Sequence, residues 1–102
     1  MITTHVLDTA YGRPAEGVDI TLFKMVDGKW EFLARGSTNA NGRLTDLLTE
    51  ESLETGMYKL VFETAAYFGR HHTTGFYPYI PLVFEIHEAN THYHVPLLLS
   101  PF

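Results

Sequence analysis

Apolar residues recur at every second position through most of the chain, and no other feature constrains its fold as strongly. Val18, Ile20 and Leu22 alternate with Asp19 and Thr21. Trp30, Phe32 and Ala34 alternate with Glu31, Leu33 and Arg35, and Tyr58, Leu60 and Phe62 with Lys59 and Val61. Leu82, Phe84 and Ile86 alternate with Val83, Glu85 and His87. Near the C-terminal end Tyr93, Val95, Leu97 and Leu99 alternate with His92, His94, Pro96 and Leu98. A period of two describes a strand with one buried face. Turn formers punctuate these runs at Gly12-Arg13-Pro14, Asp27-Gly28, Asn41-Gly42, Thr55-Gly56 and Glu88-Ala89-Asn90. The Asn41-Gly42 pair predicts positive φ at both positions. The spacing predicts an all-β chain, an antiparallel β-sandwich of about seven strands.

Two stretches depart from alternation. Residues 49–53 read as one helical turn, with Thr49 as its cap and Gly56 as its stop. Residues 64–68, Thr-Ala-Ala-Tyr-Phe, read as one short helix ended by Gly69. Pro78 and Pro81 exclude a central strand before Leu82.

The chain has 102 residues, the size of a single domain spanning residues 1–102. Hydrophobic residues at 45% and charged residues at 19% fit a folded core and exclude wholesale disorder. A net charge of −5 with no cluster of Lys and Arg argues against nucleic acid or an anionic membrane surface as partner. The absence of cysteine excludes disulfides, thiolate metal sites and Cys nucleophiles. No apolar run reaches membrane-spanning length, and Met1-Ile2-Thr3-Thr4 does not open a secretory signal, so a cytoplasmic protein is expected. Glycine-rich phosphate loops and a G-x-S-x-G elbow are both missing.

The chemistry therefore rests on the six histidines and their neighbours. His92 and His94 share the outward face of the last strand with Pro96 and Leu98. Apolar residues on an outward face mark contact with another subunit. The pair thus reads as part of a cleft at an oligomer interface, or more simply as two solvated side chains. His5 and Leu7 point outward if Val6 points inward. Arg43 follows a turn and is either surface charge or, if it faces the histidines, a fork for an anion or carbonyl. His71-His72 reads as a solvated loop pair, and His87 as an exposed strand end. His92-x-His94 with His5 could also ligate zinc, which leaves a metal site open as an alternative.

Three blocks carry a resemblance over residues 2–102. They are Thr4-His5-Val6-Leu7-Asp8-Thr9 with Gly12-Arg13-Pro14-Ala15, then Thr38-Asn39-Ala40-Asn41-Gly42-Arg43, then His92-Tyr93-His94-Val95-Pro96-Leu97-Leu98-Leu99-Ser100-Pro101-Phe102. In order and spacing they resemble the transthyretin-like family, and within it the 5-hydroxyisourate hydrolases rather than the thyroid-hormone carriers. His5, Arg43 and His94 stand where the hydrolases have a His-Arg-His set.

The resemblance implies hydrolytic opening of a cyclic amide of 5-hydroxyisourate, in urate degradation, to 2-oxo-4-hydroxy-4-carboxy-5-ureidoimidazoline. It implies a homotetramer, a dimer of dimers, with sites in the channel between dimers. The expected catalytic and substrate-binding residues are His5, Arg43 and His94, with His94 as base and His92 behind it. No metal or organic cofactor is required. The alternatives are a non-enzymatic small-ligand carrier of the same fold and a zinc binder using His5, His92 and His94. Family hydrolases continue past the last block into a final strand ending Tyr-Arg-Gly-Ser, expected to pair at a sheet edge and reach the site.

Overall fold

In the computed structural model, which describes residues 1–48, 53–89 and 91–101, the alternating segments form eight strands and one helix. In chain order these are β1 (Ile2–Asp8), β2 (Arg13–Pro14), β3 (Asp19–Val26), β4 (Lys29–Ser37), β5 (Arg43–Leu48), β6 (Gly56–Phe62), α1 (Thr64–Arg70), β7 (Ile80–Ile86) and β8 (Tyr93–Leu99). The single helical turn expected at 49–53 falls on residues outside the described set, apart from Leu53.

One sheet is a four-stranded antiparallel array in the order β4-β3-β6-β7. Its β3–β4 hairpin closes through Asp27 and Gly28, with φ of 50° and 79°. Positive φ at both positions is what a two-residue hairpin turn of matching twist requires. The other sheet is built around β1. β5 and β2 share one edge of β1, both antiparallel, and β8 runs parallel to it along the other edge from Ile2↔Tyr93 to Asp8↔Leu99. This parallel pair departs from the purely antiparallel expectation. Alternation shows which face a strand buries but carries no information on the direction of its neighbour.

The two sheets enclose the core. Ile2, Val6, Leu44 and Leu99 meet Ile20, Leu22, Tyr58, Leu60, Phe62 and Ile86, all buried. Helix α1 runs two residues past its expected end, to Arg70, and buries Tyr67 and Phe68 against the same core. The Tyr67 hydroxyl donates to the buried Asp8 carboxylate at 2.6 Å, tying the helix to the end of β1. Burial first, and then this bond, push the Tyr67 hydroxyl pKa up to about 12.

Two further expectations change. In β4 the pairing passes from Leu22↔Ala34 to Phe23↔Phe32, so Leu33 is an extra, bulged residue. The bulge leaves Ala34 against the core but turns Phe32 to the outer face, where it meets Phe23 edge-on. β7 begins at Ile80 and contains Pro81, before the expected start at Leu82. Among the described residues β7 pairs with β6 alone, and an edge strand tolerates a missing N–H donor.

Candidate active site

Strand register gathers the residues that the sequence marks separately. Ile2, Thr4, Val6 and Asp8 point into the core, so Thr3, His5 and Leu7 take the outer face of β1. His5 stands directly opposite Arg43 on β5. On the other side of β1, Thr3 stands opposite His94 on β8. Cross-strand partners project to the same face. The outer face of this sheet therefore carries Arg43, His5, Thr3 and His94 across three adjacent strands. The His5 and His94 rings lie 6.5 Å apart between centroids. His92, just before β8, lies on the same side and is exposed.

A turn fixes Arg43. The Gly42 N–H donates to the Asn39 carbonyl at 2.9 Å. The Asn39 side-chain oxygen accepts from the N–H groups of Asn41 and Arg43 at 2.9 and 3.1 Å. Gly42 takes φ 73°, while Asn41 does not adopt the positive φ expected of both residues. The Asn39 side chain supplies the turn geometry instead. The Gly42 carbonyl accepts the Val6 N–H at 2.7 Å, which binds the turn to β1 and sets Arg43 beside His5. The side chain of Arg43 is exposed and borders two recesses. One, of about 380 Å³, is lined by Thr3, Arg43, Thr45, His92 and His94 among others. The other, of about 500 Å³, is lined by His5, Pro14, Asn41 and Arg43.

Thr3 is the residue that sequence reasoning missed. Its hydroxyl lies 2.8 Å from His92 Nε2 and 2.9 Å from His94 Nδ1. The signal was available, since Thr3 is two residues before His5 and so shares its face, but a threonine in a strand is unremarkable in isolation. The His94 side chain is exposed, yet the water it loses against the sheet, and then the neighbouring His5, Arg43 and His92, hold its imidazole below the ordinary pKa of 6.5. His94 is therefore neutral at neutral pH, with a lone pair available to take a proton. Arg43, which lines the same recess, offers a positive fork for oxygen atoms.

The zinc alternative finds no support in this arrangement. His92 and His94 both direct a ring nitrogen at the Thr3 hydroxyl, and no group of three metal-type ligands that includes His5 converges among the described residues. His71 is not the solvated loop residue expected. It is half-buried, 4.6 Å from the Tyr67 ring, in a recess with Arg13 that is separate from this face. His87 is exposed, as expected.

The profile of the HIUase/Transthyretin family matches residues 2–102. The chain belongs to this family. Among its members, the 5-hydroxyisourate hydrolase of Halalkalibacterium halodurans is 45% identical over 109 residues, covering 98% of this chain and 89% of the relative. That of Mus musculus is 43% identical over 103 residues, covering 99% and 87%. Family membership extends to the three-dimensional fold. Sea bream transthyretin in complex with thyroxine superposes with a TM-score of 0.93 at 36% identity, covering 99% of this chain and 87% of that one.

Proposed function

We propose that this chain is a 5-hydroxyisourate hydrolase that opens a cyclic amide of its substrate with water. The observation that carries the reading is the placement of His5, Arg43 and His94 on one sheet face beside open recesses. Hydrolase relatives at 45% and 43% identity support the same substrate. His94 takes a proton from water as its oxygen attacks the amide carbonyl. Arg43 holds the oxygen on which negative charge builds. His5, 6.5 Å away between ring centroids, hands a proton to the nitrogen as the C–N bond breaks. The proton taken up by His94 replaces the one given by His5, and the products are the freed N–H and an acid that ionises to the carboxylate, releasing one proton to solvent. His92 acts indirectly, behind His94.

Residues 1–102 work as one domain in a cytoplasmic homotetramer. Among the described residues no helix is long and apolar enough to cross a membrane. Support for the tetramer comes from Pro96 and Leu98 on the site face, where Leu98 leaves 69% of its surface exposed. Light scattering giving a monomer at micromolar concentration would count against a shared channel.

The thyroxine-bound sea bream structure keeps a carrier reading in view. A carrier needs no proton-transfer groups, and this face has three imidazoles, of His5, His92 and His94, and a guanidinium. Freshly generated 5-hydroxyisourate decides between the readings. Its absorbance should decay well above the spontaneous rate with the protein present, and decay at the spontaneous rate would sink the enzyme reading.

A further inference from the structure

We infer that Thr3 is a positioning residue that locks His94 into one tautomer, with the proton on Nδ1 and the lone pair of Nε2 presented to the site. The inference begins with an accounting of protons. A threonine hydroxyl has one proton to donate and two lone pairs. Here it sits between two ring nitrogens, at 2.8 Å from His92 Nε2 and 2.9 Å from His94 Nδ1. It can donate to one of them, so the other ring must donate to it. A neutral imidazole has one N–H and one bare nitrogen, so the choice at Nδ1 dictates the state of Nε2.

Arg43 sets the direction of the chain. It lines the same recess as His94, and a nearby cation favours a lone pair over an N–H on the ring nitrogen left free. His92 is exposed, as His94 is, so its own Nδ1–H is solvated at little cost. The chain therefore runs from His94 Nδ1–H to the Thr3 oxygen, and from the Thr3 hydroxyl to His92 Nε2. A solvated histidine side chain favours the opposite tautomer, with the proton on Nε2, and that form would offer water no base. Thr3 is almost fully buried, at 6% exposure, so bulk water competes poorly for its hydroxyl. The arrangement also accounts for His92 without giving it contact with substrate.

The catalytic consequence rests on the hydrolase reading, but the tautomer itself does not. Long-range proton–nitrogen correlation spectra of ¹⁵N-histidine-labelled protein read the tautomer directly, at a pH where His94 is neutral. Wild type should show a protonated Nδ1 and a bare Nε2 at His94. Thr3→Val, close in shape, should shift His94 toward the Nε2–H form, and Thr3→Ser should restore the wild-type pattern. With 5-hydroxyisourate, Thr3→Val should lower kcat by about fivefold or more with KM nearly unchanged, as the competent fraction falls. Thr3→Ser should recover most of that loss. An Nε2–H form in the wild type, or a tautomer indifferent to Thr3→Val in a protein folded by circular dichroism, would overturn the inference. If the wild type shows no hydrolysis, the hydrolase reading fails and the spectra still decide the tautomer.

Discussion

Gly42 offers the sharpest test of how the fold positions Arg43. Its φ is 73°, a region that costs a residue with a side chain about 1–2 kcal/mol. Space is the larger problem. A Cβ built on Gly42 would lie 2.4 Å from the Val6 carbonyl oxygen, 3.1 Å from Pro14 Cβ and 3.2 Å from the Ala15 nitrogen. The first of these is a backbone atom in the central strand and cannot swing aside. Relief requires the turn to move off β1. That stretches the Val6 N–H to Gly42 carbonyl bond at 2.7 Å and the Ala15 N–H to Val6 carbonyl bond at 2.9 Å. Each is worth about 1 kcal/mol net. Together with the backbone cost, Gly42→Ala should destabilise by about 3–4 kcal/mol. At about 4–8 °C per kcal/mol, the melting temperature should fall by at least about 12 °C. Arg43, next in the chain, should move with the turn and activity should drop.

Gly12 is the matched control. It has φ 64°, and a Cβ added there would meet nothing within 4 Å, so Gly12→Ala should carry the backbone cost alone, about 1–2 kcal/mol. Calorimetry at equal protein concentration, with turnover measured on both variants, makes the comparison. Equal losses for the two glycines, or normal activity in Gly42→Ala, would refute the argument that crowding at the turn sets Arg43.

Other outcomes follow from the same geometry. Arg43→Lys keeps the charge but loses the two-pronged donor, and should forfeit much of the roughly hundredfold in kcat that an oxyanion donor supplies. Arg43→Ala should lose more, and steady-state rates equal to wild type in both would leave Arg43 a solvated side chain. An NMR titration should place His94 below 6.5, for burial first and then for the charges of His5, Arg43 and His92, and His5→Ala should move the midpoint upward. Because the folded pKa is depressed, the contribution of His94 to stability is present above 6.5 and lost as pH falls through its lower folded value. The acid limb of kcat/KM should lie below 6.5 as well. Tyr67→Phe removes the hydroxyl 2.6 Å from a buried Asp8 oxygen and should cost about 1–3 kcal/mol in chemical denaturation.

Much of this architecture is legible in the sequence because a sheet face has a strict period. The inward set of β3, β6 and β8 follows from alternation alone, as does the outward placement of His92 and His94. Alternation fails where an extra residue enters. Leu33 shifts the phase, and Phe32 comes out on the opposite side from the one its spacing suggests. Register between strands is not encoded in either strand by itself. That His5 faces Arg43, and Thr3 faces His94, depends on pairings that join residues far apart in the chain. The resemblance to the family supplied the first of these associations. It gave no hint of the second, because Thr3 carries no charge and belongs to no chemical motif. The buried Asp8–Tyr67 bond escaped because its partners are 59 positions apart.

The parallel pairing of β1 with β8 also sets the order in which the protein is built. A ribosome releases Thr3, His5 and Arg43 well before residues 93–99 of β8. Until then one edge of β1 has open N–H and C=O groups, and the imidazole of His94 does not yet exist. Joining β1 to β8 brings together residues such as Thr3 and His94, 91 positions apart, so folding is expected to be slow for a domain of this size. A chain interrupted before β8 presents a bare strand edge to other chains. Chemistry at this face is thereby confined to molecules whose synthesis has passed β8.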